Sequence, residues 1–207
     1  MSSSDYMVFV VDDDDSVRDA LSNLLDSVGL PALTFGSSEE FLSFTRPEVP
    51  SCLVLDAKLP GMSGPEFQEE LKRTGIQIPI IFITAHGDVP MTRRVMKAGA
   101  VEFLTKPFQK DELLGAIRSA LERDRSRREE QAVVDVLAGR YEKLTTRERE
   151  VLHLVTSGLM NKEIAAELGL SEITVKIHRR QAMTKMEAAS LADLVRMADK
   201  LKTQNTS

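Results

Sequence analysis

Tryptophan is absent from this chain of 207 residues, tyrosine occurs twice and cysteine once, and each scarcity closes off a class of function. So few flat side chains leave little on which to stack bases, which argues against a protein that holds single-stranded RNA or DNA. The lone Cys52 forbids an intramolecular disulfide; within the apolar run Cys52-Leu53-Val54-Leu55 it reads as a small buried residue rather than a reactive thiol. The three histidines and that cysteine never take zinc-finger spacing. No apolar run approaches the ~20 residues of a membrane span. The opening Met1-Ser2-Ser3-Ser4-Asp5 lacks the basic-then-apolar order of a signal peptide. A cytoplasmic protein with no membrane partner is therefore expected.

What is present looks like two ordinary folded modules. Hydrophobic residues make up 42% of the chain and charged ones 29%, which suits neither disorder nor a disulfide scaffold, and the length accommodates two modest domains. Net charge is −5, a poor match to nucleic acid until the chain is split near Arg125. Residues 1–124 hold 12 basic and 20 acidic side chains, giving −8; residues 125–207 hold 15 and 12, giving +3. The halves face different partners.

The first half alternates short apolar runs with amphipathic stretches, the pattern of a parallel sheet covered on both faces by helices. Strands are predicted at Met7–Val11, Ala32–Phe35, Cys52–Asp56, Ile78–Thr84 and Val101–Thr105. Helices are predicted to begin near Asp14, Ser38, Gly64, Pro90 and Lys110. Such a five-fold βα repeat selects a doubly wound α/β fold. From Leu121 to Lys143 the chain is rich in Arg and Glu and lacks proline, reading as a helical linker that Gly139 ends. Helical periodicity then continues through Thr146–Ser157, Asn161–Leu168, Glu172–Met186 and Leu191–Leu201, the mark of a small all-α domain. The predicted boundaries are 1–121, 122–143 and 144–207.

Asp12, Asp13, Asp56, Thr84 and Lys106 all fall at or just past the C-terminal ends of predicted strands, the edge where open α/β sheets bind ligands. Three converging carboxylates need a cation between them, and an all-oxygen set suits Mg²⁺. One carboxylate could then act as nucleophile toward a phosphoryl group, with Lys106 and the Thr84 hydroxyl placed for the phosphoryl oxygens. Singly, each residue has a plainer explanation: Asp12 to Asp15 as the acidic start of a helix, Thr84 as a strand former, Lys106 as a solvated charge.

The combination resembles the receiver domain of two-component response regulators over Met7–Leu121. The resemblance rests on Val11-Asp12-Asp13-Asp14, Leu55-Asp56-Ala57-Lys58-Leu59-Pro60-Gly61-Met62-Ser63-Gly64, Ile83-Thr84-Ala85 and Phe103-Leu104-Thr105-Lys106-Pro107-Phe108, in that order. It implies a five-stranded flavodoxin-like sheet with Asp56 as phosphoacceptor. Asp12, Asp13, Asp56 and the Lys58 carbonyl would hold Mg²⁺, Lys106 would bind phosphate, and Thr84 and Phe103 would be the switch pair. It further implies a cis Lys106-Pro107 bond, and it puts Lys58 and His86 at positions that set how fast an acyl phosphate hydrolyses. His86 read by itself is an exposed loop histidine.

In the second half a helix, a turn and a helix that Ser171 can cap suggest a helix-turn-helix, with Lys176, Arg179, Arg180 and Lys185 as phosphate and base-edge donors. Lys176, Ile177 and Arg180 share one side of that helix, while Val175, Ala182, Met183 and Met186 can face inward. By charge alone, a solvated basic helix in a small bundle fits as well. The runs Leu144-Thr145-Thr146-Arg147-Glu148-Arg149-Glu150-Val151-Leu152, Asn161-Lys162-Glu163-Ile164-Ala165, Leu168-Gly169-Leu170-Ser171 and Thr174-Val175-Lys176-Ile177-His178 decide between the two. They resemble the LuxR-type DNA-binding domain over Leu144–Leu201, and His178-Arg179 with the receiver places the chain nearest the FixJ-like subgroup.

That resemblance implies duplex promoter DNA contacted through Lys176, Ile177, His178, Arg179 and Arg180, and a dimerising last helix. It also implies a sensor histidine kinase and RNA polymerase as partners, and transcription activation by a homodimer formed on phosphorylation of Asp56. A non-enzymatic regulator is expected. Two rivals remain testable: an adaptor whose second half binds protein, and a Mg²⁺-dependent phosphatase, against which stands the lack of a general acid near the nucleophile.

Overall fold

Strand residues in the first half sort by parity, and that sorting builds two cores on one sheet. The structure, a computed structural model, describes residues 5–85 and 89–204; His86 lies outside the described residues. The chain divides into two compact units, residues 1–128 and 129–207.

The first unit holds β1 (Met7–Val11), α1 (Asp15–Asp26), β2 (Ala32–Phe35), α2 (Ser38–Ser43), β3 (Ser51–Asp56), α3 (Gly64–Arg73), β4 (Ile80–Thr84), α4 (Val89–Lys97), β5 (Glu102–Thr105) and the start of α5 (Lys110–Glu142). All five strands are parallel, in the order β2-β1-β3-β4-β5, as the sequence pattern predicts. Because side chains alternate across a strand, Val8, Val10, Cys52, Val54, Ile81 and Ile83 face α1 and α5. There Leu21, Leu25, Leu113 and Ile117 close one core. Their neighbours Phe9, Val11, Leu53, Leu55, Ile80 and Phe82 face α2 to α4 and bury Phe41, Phe67, Leu71 and Val95. Every residue of the central β3 is buried, as a strand covered on both faces requires. Cys52 lies in the first core, where burial, with Asp124 nearby, pushes its thiol pKa well up; the buried, unreactive reading holds.

Helix starts are fixed by local caps. Asp14 caps α1 by accepting from the Ser16 backbone N–H at 2.8 Å, and Ser63 with Glu66 forms a reciprocal capping box on α3. Several boundaries differ from expectation: β3 begins at Ser51, β5 at Glu102, the helix from Thr146 ends at Thr156 and the last helix runs on to Gln204. β4 begins at Ile80 rather than Ile78, because Pro79 has no N–H to give the ladder. The helix through the linker does not stop at Gly139: α5 is one helix from Lys110 to Glu142. An interior glycine costs only about 1 kcal/mol, and Leu137 and Tyr141 on either side are held in a core.

The second unit comprises the last turns of α5 with α6 (Thr146–Thr156), α7 (Asn161–Leu168), α8 (Glu172–Met186) and α9 (Leu191–Gln204). Val151, Val155, Ile164, Ala165 and Val175 join α6, α7 and α8. Leu144, Leu152, Ala182, Met186, Leu194 and Ala198 join α6, α8 and α9. Gly169, in the left-handed region at φ 66°, ends α7, and the Ser171 hydroxyl accepts from the Thr174 N–H at 3.1 Å to start α8, as predicted.

Candidate functional site

Strand order reverses between β1 and β3, the place where an open α/β sheet leaves a crevice at its C-terminal edge. β1 ends into Asp12 and β3 ends on Asp56, and both side chains are almost wholly buried. Lys106, just past β5, reaches across to both: its Nζ donates to Asp12 Oδ2 at 2.7 Å and to Asp56 Oδ1 at 3.1 Å. The other Asp56 oxygen accepts from the Lys58 backbone N–H at 2.7 Å. Thr84 is buried at the end of β4, and its carbonyl accepts from the Lys106 N–H at 2.7 Å, which anchors the lysine's backbone. The Lys106-Pro107 bond is cis. Asp13 is exposed at the rim. Phe103 is half-buried, its ring 6.5 Å from that of Phe82.

Charge in this crevice is out of balance. Burial, and the neighbouring Asp12 charge, raise the Asp56 pKa above the ordinary carboxylate range, against the pull of the Lys58 N–H and Lys106. Burial works against the charge of Lys106, but its hydrogen bonds to Asp12 and Asp56 outweigh that and raise its pKa. Two buried carboxylates thus share one ammonium. Among the described residues no three His, Cys, Asp or Glu side chains form a ready metal cluster. The donors that are present, Asp12 and Asp56 with Asp13 at the rim, are nevertheless oxygen-only and carry excess negative charge, which fits a small hard cation.

Three supporting residues were given no role at the site by the sequence reading. The Arg18 Nη1 donates to the Asp12 carbonyl at 2.6 Å, steadying the turn that carries the acidic pair. Gly64 approaches so closely that a Cβ there would stand 2.7 Å from Phe82 Cε1 and 2.9 Å from Ala57 Cα; its place in the Leu55–Gly64 run was the only hint. Asp124, buried, accepts from the Ser51 N–H at 2.9 Å and from Arg127 and Arg128, pinning α5 to the start of β3.

On α8 the exposed side holds Lys176, Ile177 and Arg180 together, while Val175, Ala182 and Met186 are buried and Met183 is half-buried. His178 and Arg179 do not share that exposed side. Both are half-buried; the His178 Nδ1 is shielded from solvent with no hydrogen-bond partner among the described residues, and Arg179 donates to Asn161 Oδ1 at 3.4 Å. A cleft of about 400 Å³ bordered by Asn161, Lys176, Arg179 and Arg180 runs beside the helix. Lys185, expected among the DNA donors, is instead engaged within the protein. Its Nζ donates to the buried Glu148 Oε2 at 2.7 Å, because the side chain turns toward α6 while staying 36% exposed. In α9, Leu194 and Ala198 are buried against the rest of the unit.

Comparison with known proteins agrees with both halves. Residues 8–118 match the response regulator receiver domain, and residues 142–198 match the bacterial regulatory proteins of the luxR family. The chain is 58% identical over 200 residues to nodulation protein W of Bradyrhizobium diazoefficiens, covering 97% of this chain and 88% of the relative. It is 42% identical over 195 residues to the transcriptional regulatory protein FixJ of Rhizobium meliloti, covering 94% and 96%. The low-resolution structure of the response regulator StyR superposes with a TM-score of 0.80 at 52% identity, covering 94% of this chain and 98% of that one. Full-length FixJ from B. japonicum gives 0.56 at 38% identity, covering 95% and 97%. No helix among the described residues is long and apolar enough to cross a membrane.

Proposed function

Because this chain belongs to the two-component response regulators that join a receiver domain to a LuxR-type DNA-binding domain, we propose that it is a cytoplasmic transcription activator of the FixJ kind, switched by phosphorylation of Asp56. The observation that carries the reading is the Lys106 ammonium held between two buried carboxylates at the crevice where strand order reverses. Its donor is the phosphohistidine of a sensor kinase. An Asp56 carboxylate oxygen attacks phosphorus, the P–N bond breaks, its electron pair returns to the imidazole nitrogen, and an aspartyl phosphate results. Asp12, Asp13, Asp56 and the Lys58 carbonyl are the oxygens that would hold Mg²⁺, which when bound offsets the charge on the phosphoryl oxygens.

Lys106, already in contact with Asp56, pairs with the new phosphoryl group, and the Thr84 hydroxyl donates to it. The added charge of about −1.5 to −2 draws Thr84 inward and lets Phe103 follow. The face formed by α4 and β5 is remodelled and pairs receivers as a homodimer. Each step biases an existing equilibrium. Two copies of α8 then engage two half-sites of promoter duplex, through Lys176, Ile177 and Arg180 on the exposed side and Arg179 at its edge, with RNA polymerase recruited there. His178 serves as a flank of the same surface. This function is regulatory and not turnover of an external substrate.

The test is duplex-DNA binding and oligomeric state of wild type and Asp56→Asn, each with and without a small-molecule phosphodonor and Mg²⁺. Tighter binding and dimerisation in treated wild type alone supports the switch; equal responses from both proteins refute control through Asp56.

A further inference from the structure

The exposed side of α8 carries a feature that neither phosphate binding nor folding explains. Ile173 is 71% exposed and Ile177 51%; one helical turn apart, they stand one above the other on the same face. Around them that face is polar, with Lys176, Arg180, Gln181 and Thr184 exposed. Buried neighbours of α8 point the opposite way, through Val175, Ala182 and Met186, so neither isoleucine contributes to the core. Exposed apolar side chains are common singly, but two stacked on the outward meridian of a helix form a defined ledge. Its position is also precise. Ile173 lies in the first turn, which the Ser171 cap on the Thr174 N–H holds in place, and the first turns of a recognition helix are the part that meets base edges.

We infer that Ile173, together with Ile177, forms an apolar ledge that reads the 5-methyl groups of thymines, making Ile173 a determinant of DNA sequence specificity. The inference rests on the DNA-binding reading above. A base edge in the major groove offers hydrogen-bond donors, acceptors or, for thymine, a methyl group. Isoleucine can use only the last. Lys176 and Arg180 flank the ledge and supply the charge that holds the helix against the duplex, leaving the isoleucines free to discriminate. Burying one methyl is worth about fourfold in affinity, so each contacted thymine should discriminate against uracil by about that factor.

The full-length protein, with phosphodonor and Mg²⁺, is assayed by fluorescence anisotropy at fixed salt on a duplex chosen by wild type from random sequence. Each thymine in a half-site is replaced singly by deoxyuridine, which removes only the methyl. Wild type should lose about fourfold at one or two adjacent positions. Ile173→Ala should abolish the thymine-to-uracil ratio at one of them, Ile177→Ala at the neighbouring one, and Ile173→Val should retain part of it. Circular dichroism of the variants should match wild type, since neither side chain is in the core. Site-selective binding by wild type with the same ratio at every thymine for wild type and Ile173→Ala overturns the inference alone. Absence of site-selective duplex binding by wild type overturns the DNA reading, and the ledge with it.

Discussion

Removing the Glu148 carboxylate should unfold the DNA-binding unit well before any surface charge change would. Glu148 is 3% exposed, and its Oε2 accepts from the Thr145 N–H at 2.8 Å and from Lys185 Nζ at 2.7 Å. In Glu148→Ala the Thr145 Oγ1 still accepts from the backbone N–H of residue 148, but the Thr145 N–H loses its acceptor, the Glu148 half of the α6 capping box, which costs about 1–2 kcal/mol. The Lys185 side chain is 36% exposed and can turn to water, so the ~3–5 kcal/mol of a broken fully buried pair is an upper bound. With up to about 1 kcal/mol more from the partly exposed Lys185 pair, the net expectation is about 2–3 kcal/mol, or roughly 10–20 °C in Tm for a unit of this size. Glu148→Gln keeps an acceptor for Thr145 and should lose about 1 kcal/mol.

The charge adds a pH signature. Burial opposes ionisation of Glu148, but Lys185 and the Thr145 N–H outweigh it and hold its pKa below the ordinary 4.5. A group whose folded pKa is depressed contributes stability that is fully present above the unfolded value and lost as pH falls through the folded one. The stability gap between wild type and Glu148→Gln should therefore be constant at neutral pH and close only below 4.5. Urea unfolding followed by circular dichroism and calorimetry of the full chain measures both. A loss under about 1 kcal/mol for Glu148→Ala, or a gap unchanged through the acid range, would show that the contact does not stabilise the unit as the geometry requires.

Two substitutions test the receiver. Gly64→Ala puts a Cβ 2.7 Å from Phe82 Cε1 and 3.1 Å from the Asp56 carbonyl, so it should cost about 1–3 kcal/mol and slow phosphorylation by a small phosphodonor; wild-type values for both would sink the packing argument. Asp124→Ala leaves the buried Ser51 N–H without its acceptor and should lower the denaturant midpoint by the equivalent of about 1–3 kcal/mol. An unchanged midpoint would show that the backbone finds another partner.

Local signals in the chain were enough for the elements and for most of the crevice. The apolar run Val8-Phe9-Val10-Val11, the capping residue Ser171, and the placement of Asp12, Asp56, Thr84 and Lys106 at or just past strand ends all act within a few residues or through strand period. The sheet followed from them because parallel βα units close in few ways. The Lys185 ion pair with Glu148 was not legible on the same basis. Basic residues of one helix look alike along the chain, and its partner Glu148 lies 37 residues away.

By itself, then, the sequence determined what repeats or acts locally: the βα alternation, the helix starts, the strand-end residues and the motifs that mark a receiver followed by a helix-turn-helix. Tertiary structure alone decided which groups meet. It set one lysine between Asp12 and Asp56, drew Lys185 inward to Glu148, pressed Gly64 against Phe82, carried α5 through Gly139 and left Ile173 outward. Each outcome is a competition between a local preference and contacts from residues distant in the chain, and only the packed core supplies the energies that settle it.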